Sequence, residues 1–481
     1  MSKIMQLVKK LIVEGVAEKT AELFLKTIIK KTKWENKVFI AGGYVRDELM
    51  GKDPKDIDIV INAPNGGIEF AEWFTKKIGN YKESSNPVIY PTYGTAKFTL
   101  KGVTFKGVDL SHIDIEAVMP RSEKYTSTSR KPEVELSDME GDAKRRDLTI
   151  NSLFKNVSTG KILDLTGTGK KDLNSKILRT PIDADSTFSD DPLRMLRVVR
   201  FYAKTGFNVP FSLLKSIKKN AFRLEIISAE RIQDELNKML VTSKPSEALK
   251  MLKITGLLPF ISQDLQNAVG MKQNSHHTKD VFGHTLDVVS KTEPKLINRL
   301  MALFHDIGKT VTKSVTPTGV HFYGHEDAGV DIARNVMKKL KYPTATIDAV
   351  CLGVKHHMKL KHGGDDSIQM SDKTLRKFTM EVGDKLETIL DVIHADNIAH
   401  ASESSMPNQI TNIKKRLETL NSSIESSKIE LPLNGHDLIR MGIKPGPQIK
   451  HLLELVLDAW YENPDITKQE AIDLINKKIN S

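Results

Sequence analysis

The sequence holds one cysteine, Cys351, so no disulfide can close within the chain. That absence points to a reducing compartment. No apolar run approaches the roughly 18 residues of a membrane-spanning helix, which excludes such a helix. No repeat of fixed period is present, so a solenoid is excluded. The first 32 residues are basic and amphipathic but lack the apolar block of a secretory signal. They carry Glu14, Glu18 and Glu22, whereas transit peptides are poor in acids. They read as the leading helix of a cytoplasmic protein. With 39% hydrophobic and 28% charged residues, the composition forms cores and excludes a wholly disordered chain. Its 481 residues suffice for about three domains.

Charge and histidine are both unevenly placed. Of the formal net charge of +11, residues 191–250 supply more than half, with 12 Lys/Arg against 6 Asp/Glu. A basic stretch of that kind suits a polyanionic partner or a solvated helical face. Eleven of the 14 histidines lie between His276 and His400. Imidazoles gathered in one segment suggest a metal site there.

Residues 36–165 alternate strand and helix patterns: KVFIAGG (37–43), DIDIVI (56–61) and the run from His112 to Ala117 read as strands. From about 190 onward apolar residues recur at helical spacing, as in LRMLRVVRFYAK and ISAERIQDELNKML. Segments 166–186 and 401–430, rich in Gly, Asp, Thr, Ser and Asn, read as linkers.

Chemistry concentrates in five places along the first half. Gly42 and Gly43 end the first strand and admit close approach of a phosphate, with Arg46 one turn on. Asp56 and Asp58 alternate on a strand and share a face, where a divalent cation such as Mg²⁺ would relieve their repulsion. Asp114 and Glu116 repeat that pattern, and either supplies a third carboxylate if the strands are neighbours. Arg145, Arg146 and Asp147, with Asn151, offer guanidinium forks for phosphates and an acceptor for a ribose hydroxyl. In DDPLR (190–194), Asp191 before Pro192 suits a helix cap. It also shares a helical face with Arg194. That acceptor–donor pair matches the amine and ring nitrogen that cytosine and adenine both present, and mismatches guanine and uracil. Arg197 and Arg200 continue the face toward phosphates.

In order, GGYVRD, DIDI, RRDLTIN, DDPLRMLRVVRF and SAERIQDEL resemble the signature motifs of class II CCA-adding tRNA nucleotidyltransferases, which share a fold with bacterial poly(A) polymerases. The resemblance covers about residues 37–240. It implies an α/β nucleotidyltransferase head with a mixed sheet, followed by all-helical neck, HD and tail domains. It implies Asp56, Asp58 and Glu116 as the catalytic carboxylates binding Mg²⁺. It implies Arg145, Arg146 and Asp147 at ribose and triphosphate, and Asp191 with Arg194 as the protein template for CTP and ATP. Asp190 stands where the family usually has Glu. The run from RSEKY (121–125) to PEVE (132–135) looks like the family's flexible loop at full length, and YGTA (93–96) like its CCA-adding pattern. The expected activity is therefore addition of CCA to the 3′ end of tRNA by two-metal transfer, the 3′-OH attacking the α-phosphorus and pyrophosphate leaving. Poly(A) addition is the alternative, as is a hydrolase whose degenerate head only binds RNA.

In the second half, His284, His305-Asp306, His325, His356-His357 and Asp396 form an H…HD…H…H…D series. A buried His-Asp pair also occurs as a purely structural couple, but the series suits one or two divalent ions. It resembles the HD phosphohydrolase domain fused behind some bacterial nucleotidyltransferases. The resemblance implies His284, His305, Asp306 and Asp396 as ligands of a transition metal or Mg²⁺. His325 and one of His356 or His357 would add a second metal. It implies hydrolysis of 2′,3′-cyclic phosphates or 2′-nucleotides. The expected organisation is a leading helix (1–32), head (33–168), neck (169–270), HD domain (271–400) and tail (401–481). The expected partners are a tRNA 3′ end, CTP and ATP, with no membrane and no obligate protein partner.

Overall fold

In the computed structural model, β1 (Val38–Ala41) is buried along its whole length, as a central strand covered on both faces should be. β2 (Ile57–Ile61) buries Ile57 and Ile59 while Asp58 faces out, and Val60 beyond it is buried as well. With β3 (Val88–Tyr90), β4 (Thr95–Thr99), β5 (Asp114–Val118), β6 (Leu153–Asn156) and β7 (Ile162–Asp164), they form one sheet ordered β7-β6-β1-β2-β5-β4-β3. β2 and β5 run parallel and the other neighbours antiparallel, so the sheet is mixed. Their register sets Asp58 directly across from Glu116. The helix Lys3–Ile29 packs on this head, burying Ala17, Ala21, Phe24, Leu25 and Ile29, with Phe24 against Phe74 and Phe105.

The structure describes residues 3–79, 86–124, 133–273, 278–317, 319–361, 364–366, 370–424 and 431–479. The middle of the expected flexible loop, 125–132, lies outside them. Two units divide the chain: residues 1–239 with 247–261, and residues 240–246 with 262–481. No helix among the described residues is long and apolar enough to cross a membrane.

The second unit is helical, as periodicity predicted, apart from a hairpin pairing Ser314–Thr316 with Gly319–His321. Its central helices are Val281–Lys291, Leu296–Phe304, His325–Lys339, Thr344–His356 and Leu386–Asn397. The last helices, Gly435–Arg440, Pro447–Glu462 and Lys468–Ile479, enclose a small core of Leu433, Leu438, Val456, Ala471 and Ile475. Neither expected linker is wholly irregular. The segment 401–430 contains the helix Gln409–Ile424, whose Ile410, Ile413 and Leu417 are buried at helical spacing. The segment 166–186 contains the helix Gly169–Asn174.

Candidate active site and candidate metal centre

The register of β2 and β5 builds one wall of a cavity of about 440 Å³ in the first unit. Most head and neck residues singled out in the sequence line it: Gly42, Gly43, Arg46, Asp56, Asp58, Glu116, Arg145, Arg146, Asp147, Asn151, Asp191, Arg194, Arg197 and Arg200. Asp114, the other candidate third carboxylate, is instead held by Lys97 at 2.7 Å and Thr99 at 2.6 Å. Asp58 is open to water through the cavity mouth, although protein crowds its other sides. Desolvation, then the charges of Glu116 and Asp56, raise its carboxyl to about 6 against the pull of Arg146 and Arg197. Carboxylates that raise one another's proton affinity fit a divalent cation, whose charge would replace the proton.

Opposite this wall, arginines are fixed by buried acids. Asp142, fully buried, takes Arg145 at 2.6 Å and Arg146 at 3.0 Å. Burial works against its ionisation, but the two guanidinium groups outweigh that and lower its pKa. Asn151 donates to Asp147 at 3.0 Å and accepts from Arg46 at 2.6 Å. Arg197 Nε donates to Asp147 at 2.7 Å, and Arg200 Nε donates to buried Glu235 at 2.6 Å. Arg46, Arg197 and Arg200 all lie over the ring of Phe201, at 5.0, 5.8 and 4.4 Å. Lys204 also lines the cavity; burial, then Arg46, lowers its pKa. Asp47 pairs with Arg46 at 2.7 Å and with Lys204 at 3.5 Å.

At the start of the helix Leu193–Thr205, Asp191 Oδ1 accepts the Leu193 N–H at 3.1 Å, the helix-start contact that its place before proline suggested. Its Oδ2 is held by Arg231 at 2.8 Å. Arg194 donates to the Thr187 carbonyl at 3.1 Å. Both members of the pair are therefore pre-oriented in the cavity lining.

Sequence reasoning missed Asp142, Lys204, Arg231 and Glu235. Asp142 lies three and four residues before the arginines it holds, which is a readable helical spacing. Arg231 and Glu235 are also four apart, within SAERIQDEL, and face the same neighbour.

The second unit brings together most of its expected ligands. His284 Nε2 lies 2.9 Å from Asp396 and 3.7 Å from Asp306. His325 Nε2 and His357 Nε2 approach the other oxygen of Asp306 at 3.4 and 3.6 Å. His305, His325 and His357 each place Nδ1 on a backbone carbonyl three residues back, at 2.6–2.8 Å. If Nδ1 carries the proton, each Nε2 lone pair faces the acids. His305 Nε2 is buried 3.2 Å from Asp306 without an aligned hydrogen bond. His325 Nε2 and His357 Nε2 face each other at 3.3 Å. Opposed lone pairs and an orphaned buried nitrogen fit cations shared between these side chains. Three overlapping groups could each hold one: His284/Asp396/His400, His284/His305/Asp306 and Asp306/His325/His357. His400 was not foreseen as a ligand. His356 does not join them. The helix turns by about 100° per residue, so its ring packs on Phe378 and its Nδ1 faces Glu381 at 3.7 Å.

Comparison with known proteins agrees with this layout. Residues 38–179 match the family described as poly A polymerase head domain, 206–268 the probable RNA and SrmB-binding site of polymerase A, and 328–474 tRNA nucleotidyltransferase domain 2, putative. These three matches, with the relatives below, support the class II tRNA nucleotidyltransferase and poly(A) polymerase family for this chain. Among tRNA nucleotidyltransferases, it is 27% identical to the one named cca1 from Schizosaccharomyces pombe, over 95% of each chain. It is 27% identical to the CC-adding tRNA nucleotidyltransferase of Thermus thermophilus, over 90% of this chain and 92% of that protein. Its fold matches the Bacillus stearothermophilus CCA-adding enzyme solved in complex with CTP, with a TM-score of 0.66, 19% identity and coverage of 96% and 98%.

Proposed function

We propose that the chain adds CCA to the 3′ end of tRNA from CTP and ATP, without a nucleic-acid template. One observation carries this reading: a single cavity joins the carboxylate wall, the anchored arginines and the Asp191/Arg194 pair. The names of its relatives support it. Mg²⁺ held by Asp56, Asp58 and Glu116 would supply charge neutralisation and activation of the 3′-OH for two-metal transfer. The residues of the chain do the rest. Arg145, Arg146 and Arg46 hold the triphosphate, and Asp147, fixed by Asn151 and Arg197, accepts from the ribose. Asp191 accepts the exocyclic amine of C or A while Arg194 donates to the ring nitrogen. Guanine and uracil would meet Asp191 with a carbonyl, leaving acceptor against acceptor.

The test is incubation with CTP, ATP and Mg²⁺ on a tRNA transcript lacking its last three nucleotides. Sequenced products should end in CCA, and chelation with EDTA should leave the transcript unextended. Long A runs would instead make the protein a poly(A) polymerase, and products ending in CC a CC-adding enzyme.

The proposal extends to the second unit as an HD-type, metal-dependent phosphohydrolase acting on 2′,3′-cyclic phosphates or 2′-nucleotides. Its support is the lone-pair geometry around Asp306 and Asp396, with His284 and His305 completing one site and His325 and His357 a second. Loss of hydrolysis in His305→Ala, with each of several divalent metals supplied, tests it. The proposed domains are the leading helix 1–32, the head 33–168, the neck 169–270, the HD domain 271–400 and the tail 401–481.

A further inference from the structure

The second unit's acids are each matched by a lysine. Lys309 Nζ lies 2.7 Å from Asp306 and also donates to Gln273 at 2.9 Å. Lys361 Nζ lies 2.5 Å from Asp396. Two lysines already balance two carboxylates, so each divalent cation added there leaves net positive charge. The ligand that completes the site is then an anion such as a phosphate.

Beside these groups the chain leaves the hairpin at His321 and enters the helix His325–Lys339. In between, side chains alternate. Phe322 turns inward, 9% exposed, beneath Lys309 Nζ at 5.4 Å. Tyr323 turns outward and is 75% exposed. Its ring stacks on His321, with centroids 5.2 Å apart and planes within 7°, and its hydroxyl lies 3.3 Å from His321 Nδ1. Val315, on the other strand of the hairpin, is 76% exposed. Gly324, at φ 70°, makes the turn that sends Tyr323 outward and His325 into the cluster. Tyr323 and His325 are two residues apart, so their Cα atoms are within about 7 Å. Exposing this much aromatic surface does nothing for the core, and parallel rings present a flat face on which any base can stack.

We infer that the His321–Tyr323 pair is a base-stacking platform for the second unit's site, so that a nucleotide binds with its phosphate beside Lys309 and Lys361 and its base on Tyr323. The inference rests on the hydrolytic reading for its phosphate end and on the hairpin alone for its base end.

The test uses the full-length protein and adenosine 2′-monophosphate. In Tyr323→Trp, this nucleotide should quench fluorescence to saturation, beyond the response of the wild type with its own Trp34, Trp73 and Trp460. Ribose 5-phosphate, which lacks a base, should add no quench. In hydrolysis assays, the kcat/KM ratio for adenosine 2′-monophosphate over β-glycerophosphate should fall about tenfold in Tyr323→Ala and recover in Tyr323→Phe. Equal quenching in wild type and Tyr323→Trp, or an unchanged ratio in Tyr323→Ala, overturns the platform. If no phosphoester is hydrolysed with any divalent metal, the hydrolytic reading falls, and the Trp quench alone decides whether a base binds the hairpin.

Discussion

At the scale of the residue, the proposed base selection would depend on how firmly Asp191 is aimed. Its carboxylate is held from one side by the Leu193 N–H and from the other by Arg231. A charge-assisted hydrogen bond of this kind contributes about 1.5–3 kcal/mol, or roughly 10- to 100-fold in a ratio. Arg231→Ala should therefore raise misincorporation of UMP and GMP by at least tenfold, with a smaller loss in the rate of correct addition. Arg231→Lys should restore part of the selectivity. Equal losses for right and wrong nucleotides would assign Arg231 to phosphate binding instead. Asp147 makes a second residue-scale prediction. Burial opposes its ionisation, but Arg197, Asn151 and Arg200 outweigh burial and hold its carboxyl down to about 2. A carboxyl depressed below its unfolded value of 3.8 stabilises the fold above that pH, here by about 2 kcal/mol, and loses this as pH falls toward 2. Asp147→Asn should be less stable to urea than wild type at pH 7, and the gap should narrow between pH 4 and pH 2.

At the scale of the element, the helix Ala229–Leu240 acts as a brace for the helix Leu193–Thr205. Arg231 fixes the start of that helix and Glu235, 1% exposed, fixes Arg200 and Arg197 along it. Removing one partner of a buried ion pair strands the other and costs about 3–5 kcal/mol. Glu235→Ala should lower the melting temperature and slow C and A addition alike, leaving their selectivity in place; differential scanning calorimetry and single-nucleotide assays check this. The contrast with Arg231→Ala separates bracing from aiming. Elements of this kind show what was legible in the sequence. Strands such as β2 could be read because period-2 alternation survives wherever one face is buried. The acids and arginines of the cavity could be read as motifs, since each motif is local. Asp142 and Glu235 could not be assigned by type, because a buried acid that holds arginines looks the same in sequence as one on a solvated helix. The hairpin 314–321 was hidden by its brevity, and the helix Gln409–Ile424 by the serine- and asparagine-rich stretch around it. His357 rather than His356 required the helix phase at its last turn, which is the least readable part of any helix.

At the scale of the whole molecule, the chain divides its acids and imidazoles between two units with no shared residues. In the first, oxygen ligands stand alone beside arginines, a set suited to a hard cation and a triphosphate. In the second, imidazoles dominate: burial, against the pull of Asp306, holds the His357 ring down to about 4, so it presents a neutral lone pair at neutral pH. Two donor sets of such different softness predict two separable metal requirements. Asp58→Ala should abolish nucleotidyl transfer while phosphoester hydrolysis persists. His305→Ala should abolish hydrolysis while CCA addition to a truncated tRNA persists. Transfer should be restored after EDTA by Mg²⁺ alone, whereas hydrolysis should respond to a transition metal such as Mn²⁺, Co²⁺ or Ni²⁺. If one substitution removed both activities, or one metal restored both with the same concentration dependence, the two units would have to share a single catalytic centre, which two donor sets of unlike chemistry in separate units have no reason to form.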